Sequence, residues 1–264
     1  MEYDLKGVFP TEKISLYNCD NMELMARYPD NYFDLAIVDP PYGINVGKMA
    51  YTQEDNRRAI QSNGTSLKVK KLKYKHKEWD NSAPDDKYFN ELFRVSKNQI
   101  IWGVNYMPIV LSGGRIVWNK LNGDNSFSDA EIAYCSLQQK VSVFDFLWSG
   151  MIQGLDAVNG RVQQGNKKLN EKRIHPTQKP VSLYKWLLLK YAKPNDKILD
   201  THLGSGSIAI ACHDFGYELT ACELDADYFN SAIERIKKHC SQPSLFEPGE
   251  LLQPNLIFDF EKQL

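Results

Sequence analysis

Four consecutive residues, Asp39-Pro40-Pro41-Tyr42, have the types and order that most directly suggest chemistry. The two prolines have restricted φ angles and keep the residue before them extended, so the Asp39 carboxylate and the proline carbonyl groups form a stiff row of hydrogen-bond acceptors. The Tyr42 ring offers a flat surface beside that row. This arrangement suits a planar ring that carries an amino group, because two acceptors take its two N–H bonds and the carboxylate stabilises positive charge that develops on the nitrogen. The alternative is a rigid Asp-Pro turn after a strand.

A second segment, Asp200–Ser207, reads DTHLGSGS and combines an acid with glycines. Glycine lets the backbone approach a ligand closely, and Glu223, at the end of the next predicted strand, can accept hydrogen bonds from ribose hydroxyl groups. Gly204, Gly206 and Ala209 also match the GxGxxA pattern of nicotinamide-dinucleotide domains. Only 55 residues follow Ala209, which is too few for the rest of such a domain.

A third segment, His175-Pro-Thr-Gln-Lys-Pro180, precedes a predicted helix that Pro180 opens. The N-terminus of a helix together with a nearby lysine, here Lys179, is a suitable binding site for a carboxylate. The alternative is a turn that only starts the helix.

The elements that would position these segments alternate between strands and helices. Apolar runs predict strands at 34–39, 98–103 and 114–118 and two more within 131–148. The later pattern predicts a helix at 180–192, a strand at 197–200, a helix at 206–215, a strand at 219–223 and a helix at 226–239. This βαβα order favours an α/β fold, with a mostly parallel twisted sheet and helices on both of its faces. Asp39 ends a predicted strand, so it is expected at the sheet edge where ligands bind in such folds.

The charge of the chain is segregated. The sequence has 264 residues, 42% hydrophobic residues and a net charge of −1, which excludes a uniformly basic coat protein for nucleic acid. Residues 65–77 contain six lysines and no acid, residues 161–179 have a net charge of +5, and the rest of the chain therefore has −12. These two segments are either sites for an acidic partner or solvated loops.

Several protein classes are disfavoured by the same sequence. No stretch approaches the roughly 18 uncharged apolar residues of a membrane helix, and the first residues lack the pattern of a secretory signal. The five cysteines form no CxxC pair, and no Cys or His pair has the spacing of a zinc finger, so we expect neither disulfides nor a metal site. The sequence therefore predicts a cytoplasmic protein.

Together, Asp39–Tyr42, His175–Pro180 and Asp200–Ser207 with Glu223 resemble the signature segments of the exocyclic-amino DNA methyltransferases that use S-adenosylmethionine. The order, with the catalytic segment before the cofactor segment, is similar to that of their permuted β group. The likeness to prophage and restriction-modification members extends over nearly the whole chain. The resemblance implies a Rossmann-like class I methyltransferase fold, in which the two motif strands are neighbours at the switch point of the sheet.

The resemblance also implies roles for the matching residues. Asp39 and the Pro40 carbonyl would bind the target amine, with Pro41 in the same rigid turn, and Tyr42 would stack on a base flipped out of the duplex. The residues expected to bind S-adenosylmethionine are Asp20 at its adenine, Glu223 at its ribose, Asp200, Gly204, Ser205, Gly206 and Ser207 along its methionine part, and His175, Thr177 and Lys179 beside its carboxylate. One departure is His202, where the family usually has Phe within Asp-Pro-Phe; we interpret it as a tolerated replacement.

Double-stranded DNA is the partner that the resemblance implies. The chain would form one catalytic domain over 1–264, with a basic DNA-contacting insertion at 43–80, a small target-recognition insertion at 149–174 and a C-terminal tail at 241–264. The side chains expected to hold phosphates are Lys68, Lys70, Lys71, Lys73, Arg161, Lys167, Lys168 and Arg173. Those expected to read base edges are Asn159, Gln163, Gln164 and Asn166.

Two further partners are predicted from analogy and from a short motif. Related enzymes often dimerise, which makes a homodimer an expectation by analogy. Gln242–Phe246 resembles the short peptides that dock into bacterial sliding clamps; alternatively, Leu245 and Phe246 cap the fold. The family also implies a bacterial or phage-infected cell.

The sequence limits which atom can receive the methyl group, because other reactions need residue patterns that are absent here. Carbon-5 cytosine methylation needs a cysteine nucleophile, usually after a proline, and no cysteine here follows a proline. Asparagine in place of Asp39 would have suggested a protein-glutamine or RNA substrate. The N4-cytosine members of the family usually have serine at this position, so the resemblance favours direct methyl transfer to adenine N6. The alternatives are N4-cytosine methylation and a non-catalytic DNA-binding regulator on the same scaffold.

Overall fold

The structure, a computed structural model, describes residues 12–45, 80–121, 128–148, 153 and 171–242, and the backbone of 2–3, 58–60, 66–68, 149, 152 and 154. The strands are β1 Glu2–Tyr3, β2 Ile14–Tyr17, β3 Leu35–Val38, β4 Arg58–Ile60, β5 Ser66–Lys68, β6 Gln99–Trp102, β7 Gly114–Asn119, β8 Ala130–Cys135, β9 Val141–Asp145, β10 Leu147–Ser149, β11 Ile152–Gly154, β12 Lys197–Asp200 and β13 Glu218–Cys222. The helices are α1 Asn21–Met25, α2 Asp86–Val95, α3 Val181–Tyr191, α4 Ser207–Phe215 and α5 Ala226–Cys240, and a 3₁₀ turn spans Val104–Tyr106.

Within the described residues, nine of these strands form one sheet in the order β1-β2-β13-β12-β3-β6-β8-β7-β9. The strands β2, β13, β12, β3 and β6 run parallel to one another. In contrast, β8 is antiparallel to both β6 and β7, and β1 is antiparallel to β2. The strands β4 and β5 form a separate hairpin, as do β10 and β11. The expected mostly parallel α/β sheet is therefore confirmed.

Alternate side chains of the central strands enter two different apolar cores. Leu35 and Ile37 of β3 face the core that α3, α4 and α5 cover, whereas Ala36 and Val38 face the core that includes residues of α1 and α2. This alternation follows from the period of two along a strand. Because helices cover both faces, all four side chains of β3 are buried, which explains its continuously apolar sequence.

The predicted permutation brings the two signature strands side by side. β12 pairs with β3 through Ile198 opposite Leu35 and Leu199 opposite Ala36. Asp39 follows β3, and Asp200 ends β12. Because both strands run in the same direction, their acids lie at the same carboxyl edge of the sheet, where ligands bind in open α/β folds.

At each predicted insertion, the residues before it lie close to the residues after it. Asp80 Oδ1 accepts hydrogen bonds from the backbone N–H groups of Tyr42 (2.8 Å) and Gly43 (2.9 Å). The Gln153 side chain exchanges two hydrogen bonds with the backbone of Glu171 (2.9 and 3.1 Å). Residues 46–57, 61–65, 69–79 and 155–170 lie outside the described residues, so the insertion boundaries stay predictions.

The predicted helices lie close to the observed ones, and α3 starts one residue after Pro180. No helix in the described part of the chain is long and apolar enough to cross a membrane.

Candidate active site

The Asp39 carboxylate follows β3 directly and is held at both of its oxygens. The Tyr42 hydroxyl group donates a hydrogen bond to Oδ1 (2.7 Å), and the Lys179 ammonium group lies 2.5 Å from Oδ2. Lys179 also donates to the Tyr42 hydroxyl oxygen (3.1 Å), which closes a ring of three groups. The Asp39 side chain keeps 17% of its surface exposed, whereas that of Lys179 keeps only 2%. The carboxylate is thus oriented from the protein side and is still partly accessible.

A second carboxylate, Glu131 on β8, belongs to the same group of charges. Its Oε2 lies 2.9 Å from the Lys179 ammonium, and its Oε1 lies 2.6 Å from that of Lys120. Burial raises the pKa of Glu131, but the two ammonium groups outweigh burial and lower it to about 2. Burial raises the pKa of Asp39, and the Glu131 charge adds to this increase, which Lys179 opposes. We refer to Asp39, Tyr42, Glu131 and Lys179 as the Asp39 cluster.

The Tyr42 ring lies against a backbone segment and a second aromatic ring. Gly103, which follows β6, has a φ of +69°, and a Cβ there would lie only 2.0 Å from the Tyr42 ring. Only glycine permits this close approach. Tyr106 stacks on Tyr42 with ring centroids 5.2 Å apart and an interplanar angle of 14°. Tyr106 is 41% exposed, so it forms the outer member of an aromatic stack.

The segment Asp200–Ser207, here named the glycine loop, is held largely by backbone hydrogen bonds. Glu223 bridges it to the start of α5, because its Oε2 accepts from the Gly204 N–H (2.9 Å) and its Oε1 from the Asp225 N–H (2.9 Å). Gly204 and Gly206 have φ angles of +52° and +75°. These left-handed conformations favour glycine, since it has no Cβ to clash.

Two side chains of the glycine loop have strongly shifted pKa values. Burial raises the pKa of Asp200 to about 8, although the carboxylate accepts a hydrogen bond from the His202 N–H (2.9 Å). Burial lowers the pKa of His202 to about 3, so its ring is neutral. The ring nitrogens of His202 lie 3.1 Å from Asn21 Nδ2 and 2.9 Å from Thr201 Oγ1. Histidine is therefore accommodated at this position by polar partners on both sides.

Both serines of the glycine loop direct their hydroxyl groups into the protein. Ser207 donates a hydrogen bond to the Lys179 carbonyl (2.7 Å) and lies 3.1 Å from the Ser205 hydroxyl. Arg235 donates to the Ser205 carbonyl (2.7 Å) and to Ser207 Oγ (3.0 Å), and it pairs with Glu171 (2.9 Å). These bonds connect the glycine loop to the backbone of the Asp39 cluster. The serine hydroxyls thus have protein partners, and the predicted contact with the methionine part stays a prediction.

The segment His175–Pro180 is a tight turn that places Lys179. His175 Nδ1 lies 3.0 Å from Thr177 Oγ1, and its ring packs edge-on against Tyr228 with centroids 4.3 Å apart. Trp148 donates a hydrogen bond to the Gln178 carbonyl (2.8 Å). Lys179 emerges from this turn toward Asp39. The predicted contacts of this segment with the methionine carboxylate stay predictions.

A pocket of about 320 Å³ opens beside Pro41 and His202. It is lined by Asn21, Met22, Pro41, Ser82, Ala83, Pro84, Asp85, Lys87, Tyr88 and His202. Asp20, predicted to contact the cofactor's adenine, precedes this lining and accepts a hydrogen bond from the Met22 N–H (2.8 Å). A ligand in this pocket contacts both Pro41 and the glycine loop.

Comparison with known proteins identifies the family. A family model for N6 and N4 methyltransferases, described as DNA methylase, matches residues 61–234, about two thirds of the chain. The chain belongs to this DNA methylase family. The methylase is similar to the type II methyltransferase M.HinfI of Haemophilus influenzae. The two are 24% identical in an alignment 267 residues long, gaps included, which covers 86% of this chain and 69% of the relative.

Two further similar proteins span most of this methylase. The type II methyltransferase M.BglII of Bacillus subtilis is 21% identical over 291 residues, which cover 92% of this chain and 79% of the relative. Among solved structures, the M1.HpyAVI–SAM complex matches with a TM-score of 0.47 and 17% identity, over 84% of this chain and 99% of that chain.

S-adenosylmethionine is the methyl donor of this family, and the glycine loop of the methylase fits it. A Cβ at Gly204 would meet only the His202 carbonyl, at 3.8 Å, so there is open space beside the Gly204 backbone. The first N–H groups of α4 have no acceptor within the helix, which suits a carboxylate. Glu223 follows β13 at the position that suits ribose hydroxyl groups.

Most of the predicted DNA contacts of the methylase cannot be placed on this site. Lys68 is described only as backbone in β5, and the residues outside the described part are Lys70, Lys71, Lys73, Asn159, Arg161, Gln163, Gln164, Asn166, Lys167 and Lys168. Arg173 is described: its guanidinium lies 4.8 Å from the Trp148 ring centroid and donates to the Trp148 carbonyl (2.5 Å). Its contact with a phosphate stays a prediction.

Sequence reasoning missed several residues that the fold brings to the site. They are Asp80, Gly103, Tyr106, Lys120, Glu131, Glu171 and Arg235. Glu131 had a recognisable signal, because it is an acid at the start of an apolar predicted strand and a buried charge needs a partner. The others have no local spacing that indicates the site.

Proposed function

We propose that this DNA methylase transfers the methyl group of S-adenosylmethionine directly to N6 of an adenine flipped out of double-stranded DNA. The Asp39 cluster carries the proposal: a partly exposed carboxylate, oriented by Tyr42 and Lys179, follows β3 next to the strand that leads into the glycine loop. This arrangement places an acceptor for the amine next to the loop that would hold the methyl donor.

In the proposed reaction, Asp39 and the Pro40 carbonyl accept the two hydrogens of the target amino group. A carboxylate has about four lone-pair sites, and Tyr42 and Lys179 occupy one on each oxygen of Asp39, so acceptor capacity remains. These hydrogen bonds draw the amino lone pair out of conjugation with the base, and the carboxylate stabilises the positive charge that develops. When bound, S-adenosylmethionine supplies a methyl group on a positively charged sulfur.

The aromatic stack supplies a surface for the base in this proposal. Tyr106 stacks on the Tyr42 ring, and its exposed ring offers the outer surface of this stack. Flipping a base costs a few kcal/mol of stacking and pairing energy, and aromatic stacking in the pocket offsets part of it. The basic segments 65–77 and 161–173 would hold the phosphates, which makes DNA binding salt-dependent.

The remaining assignments belong to the same proposal. The enzyme would act in the cytoplasm of a bacterial or phage-infected cell. A homodimer and docking of Gln242–Phe246 into a sliding clamp stay predictions; residues 243–246 lie outside the described part of the chain.

The test is incubation of the methylase with unmethylated genomic DNA and labelled S-adenosylmethionine, followed by nucleoside analysis. We expect N6-methyladenine from the wild type and a loss of about 1000-fold or more in Asp39→Ala, with donor affinity by calorimetry changed less than about threefold. Asp129→Asn, which alters an exposed acid, is the matched control. Near-normal transfer by Asp39→Ala would reject the mechanism, N4-methylcytosine would select the cytosine alternative, and DNA binding without incorporation would select the regulator.

A further inference from the structure

Glu131 is the charged member of the Asp39 cluster that the proposed reaction does not use. It comes from β8, about 90 residues after Asp39, and contacts Lys179 from a different strand of the sheet. One carboxylate is enough to neutralise one ammonium group, and Asp39 already pairs with Lys179. The second carboxylate, which brings its own partner Lys120 at 2.6 Å, therefore needs an explanation.

The Lys179 ammonium group is fully coordinated by this arrangement. Its three N–H bonds have acceptors on Asp39 (2.5 Å), Glu131 (2.9 Å) and Tyr42 (3.1 Å). The ammonium also lies 5.3 Å from the ring centroid of Trp102 and 5.6 Å from that of Tyr42. With a 2% exposed side chain, Lys179 has no route to solvent, so its charge is shared between two carboxylates in one geometry.

We propose that Glu131 is a positioning residue for methyl transfer: by sharing the Lys179 ammonium with Asp39, it keeps Asp39 oriented without letting that ammonium neutralise it. Asp39 is then both correctly aimed and still a strong acceptor for an amino proton of the target base. This inference rests on the role of Asp39 in the proposed function.

The proposed role of Glu131 follows from the proton that the amino group loses during the reaction. The amino nitrogen forms a bond to the methyl carbon, the electron pair of the broken carbon–sulfur bond stays on the sulfur, and one amino proton passes to the Asp39 carboxylate. A carboxylate paired with one ammonium accepts a proton poorly, because the cation favours the ionised form. The Glu131 charge opposes this and raises the pKa of Asp39.

The other groups around Asp39 do not provide that opposing charge on their own. Asp200 is a neighbouring acid, but its carboxylate accepts a hydrogen bond from the His202 N–H in the glycine loop, and burial raises its pKa to about 8 before the donor binds. Burial raises the pKa values of Tyr88 and Tyr184 far above their ordinary range, so both rings are neutral. Tyr42 is neutral for the same reason. Glu131, with its low pKa, is thus the permanently charged acid of the cluster.

The experiment compares two substitutions that change the cluster charge in opposite directions. Glu131→Gln keeps the size and an acceptor oxygen but removes the negative charge. Lys120→Met removes the cation on the far side of Glu131. With unmethylated genomic DNA and labelled donor, we expect the acidic limb of the kcat–pH profile to move down by about one unit in Glu131→Gln, with a plateau lower by about tenfold, and to move up in Lys120→Met.

A matched control and two further measurements separate positioning from simple structural support. Asp129→Asn removes an exposed carboxylate two positions before Glu131 and should leave the profile unchanged. Thermal unfolding and donor affinity by calorimetry report on folding and on the cofactor site. If Glu131→Gln fails to fold, Glu131→Asp keeps the charge on a shorter side chain: a wild-type acidic limb with a lower plateau supports the positioning role, and a fully wild-type profile rejects it.

If the acidic limb of the kcat–pH profile stays in place in both variants, or moves in the same direction in both, the proposed role of Glu131 is wrong. The failure of the underlying function looks different: Asp39→Ala would then still methylate DNA. An inactive Asp39→Ala together with unmoved limbs rejects only the inference about Glu131.

Discussion

The Asp39 cluster and the glycine loop lie on neighbouring strands at one edge of the sheet, yet different forces hold them. The cluster joins side chains from distant segments through buried charges at 2.5–3.1 Å. The glycine loop is one local stretch, shaped by left-handed glycines and by backbone hydrogen bonds to Glu223. The difference teaches that local backbone geometry shapes the loop, whereas the cluster forms only where distant segments bring opposite charges together.

The two regions meet through one chain of hydrogen bonds. Arg235 holds Ser207, and Ser207 donates to the Lys179 carbonyl. A change in Arg235 is therefore expected to affect both regions. A change in Gly103, which packs against Tyr42, or in Gly204 should affect one region alone.

Among the changes that distinguish the two regions, Gly103→Ala should have the largest effect and should affect the Asp39 cluster alone. The new Cβ would lie 2.0 Å from the Tyr42 ring, so the ring must move. A displacement of about 1 Å can reduce a rate about 100-fold, and we expect that loss in methyl transfer. Donor affinity by calorimetry should not change. Gly216→Ala, with a similar φ of +72°, is the control for backbone strain; an equal loss in both variants would exclude the Tyr42 ring as the cause.

Arg235→Met should affect both regions at once. It removes the ion pair with Glu171 and the hydrogen bonds to Ser205 and Ser207, and it leaves a largely buried carboxylate without this partner. We expect the free energy of unfolding to fall by about 2 kcal/mol, with donor affinity and kcat both reduced. Denaturant unfolding measures the change in the free energy of unfolding. Lys97→Met, which breaks an exposed pair, should cost about 0.5 kcal/mol, and an equal cost for both variants would contradict the connecting role of Arg235.

Gly204→Ala should affect the glycine loop alone and less strongly. The added Cβ would meet only the His202 carbonyl at 3.8 Å, so the fold accepts it apart from the strain of a φ of +52°. The methyl group would occupy space beside the backbone that we assign to the donor. We expect donor affinity to fall about tenfold, with kcat at saturating donor nearly unchanged. Unchanged affinity in calorimetry would mean that the donor does not approach this backbone.

The smallest effect expected is a pH dependence of donor binding. Burial raises the pKa of Asp200 to about 8, and a positively charged donor nearby favours the ionised carboxylate. Binding then releases a proton below pH 8, so affinity should fall about fivefold from pH 8 to pH 7. Calorimetry in buffers of different ionisation enthalpy measures the released proton. Asp200→Asn should show no such dependence, and a flat profile for the wild type would contradict the assignment.

Much of the framework was predictable, because it depends on consecutive residues. The strand before Asp39, the strand that ends at Asp200 and the helix after Pro180 all lie where the apolar patterns predict them. Helix α2 was missed although its buried side chains Tyr88, Phe89, Leu92 and Val95 follow a helical spacing. Strand β2 was missed because four residues of alternating burial give little signal.

The protein contacts of the turn residues were less predictable than the turn itself. The assignment of His175 and Thr177 to a cofactor carboxylate stays a prediction, and within the turn their side chains contact each other. Lys179 was assigned to the same carboxylate, and its observed contacts are with Asp39 and Glu131. Sequence spacing indicates that such residues share a turn, but it does not indicate where a long side chain of that turn will point.

The sequence by itself determined which groups can do the chemistry: the rigid Asp-Pro-Pro-Tyr segment, the glycine loop and the strands that end at their acids. It could do so because prolines, glycines and strand ends constrain the backbone locally. Only the tertiary structure decided which charges surround Asp39. The strand order β3-β6-β8 places Glu131 across Lys179, and Lys120 reaches the same carboxylate. A buried charge must have a partner in space, but nothing requires that partner to be near in sequence.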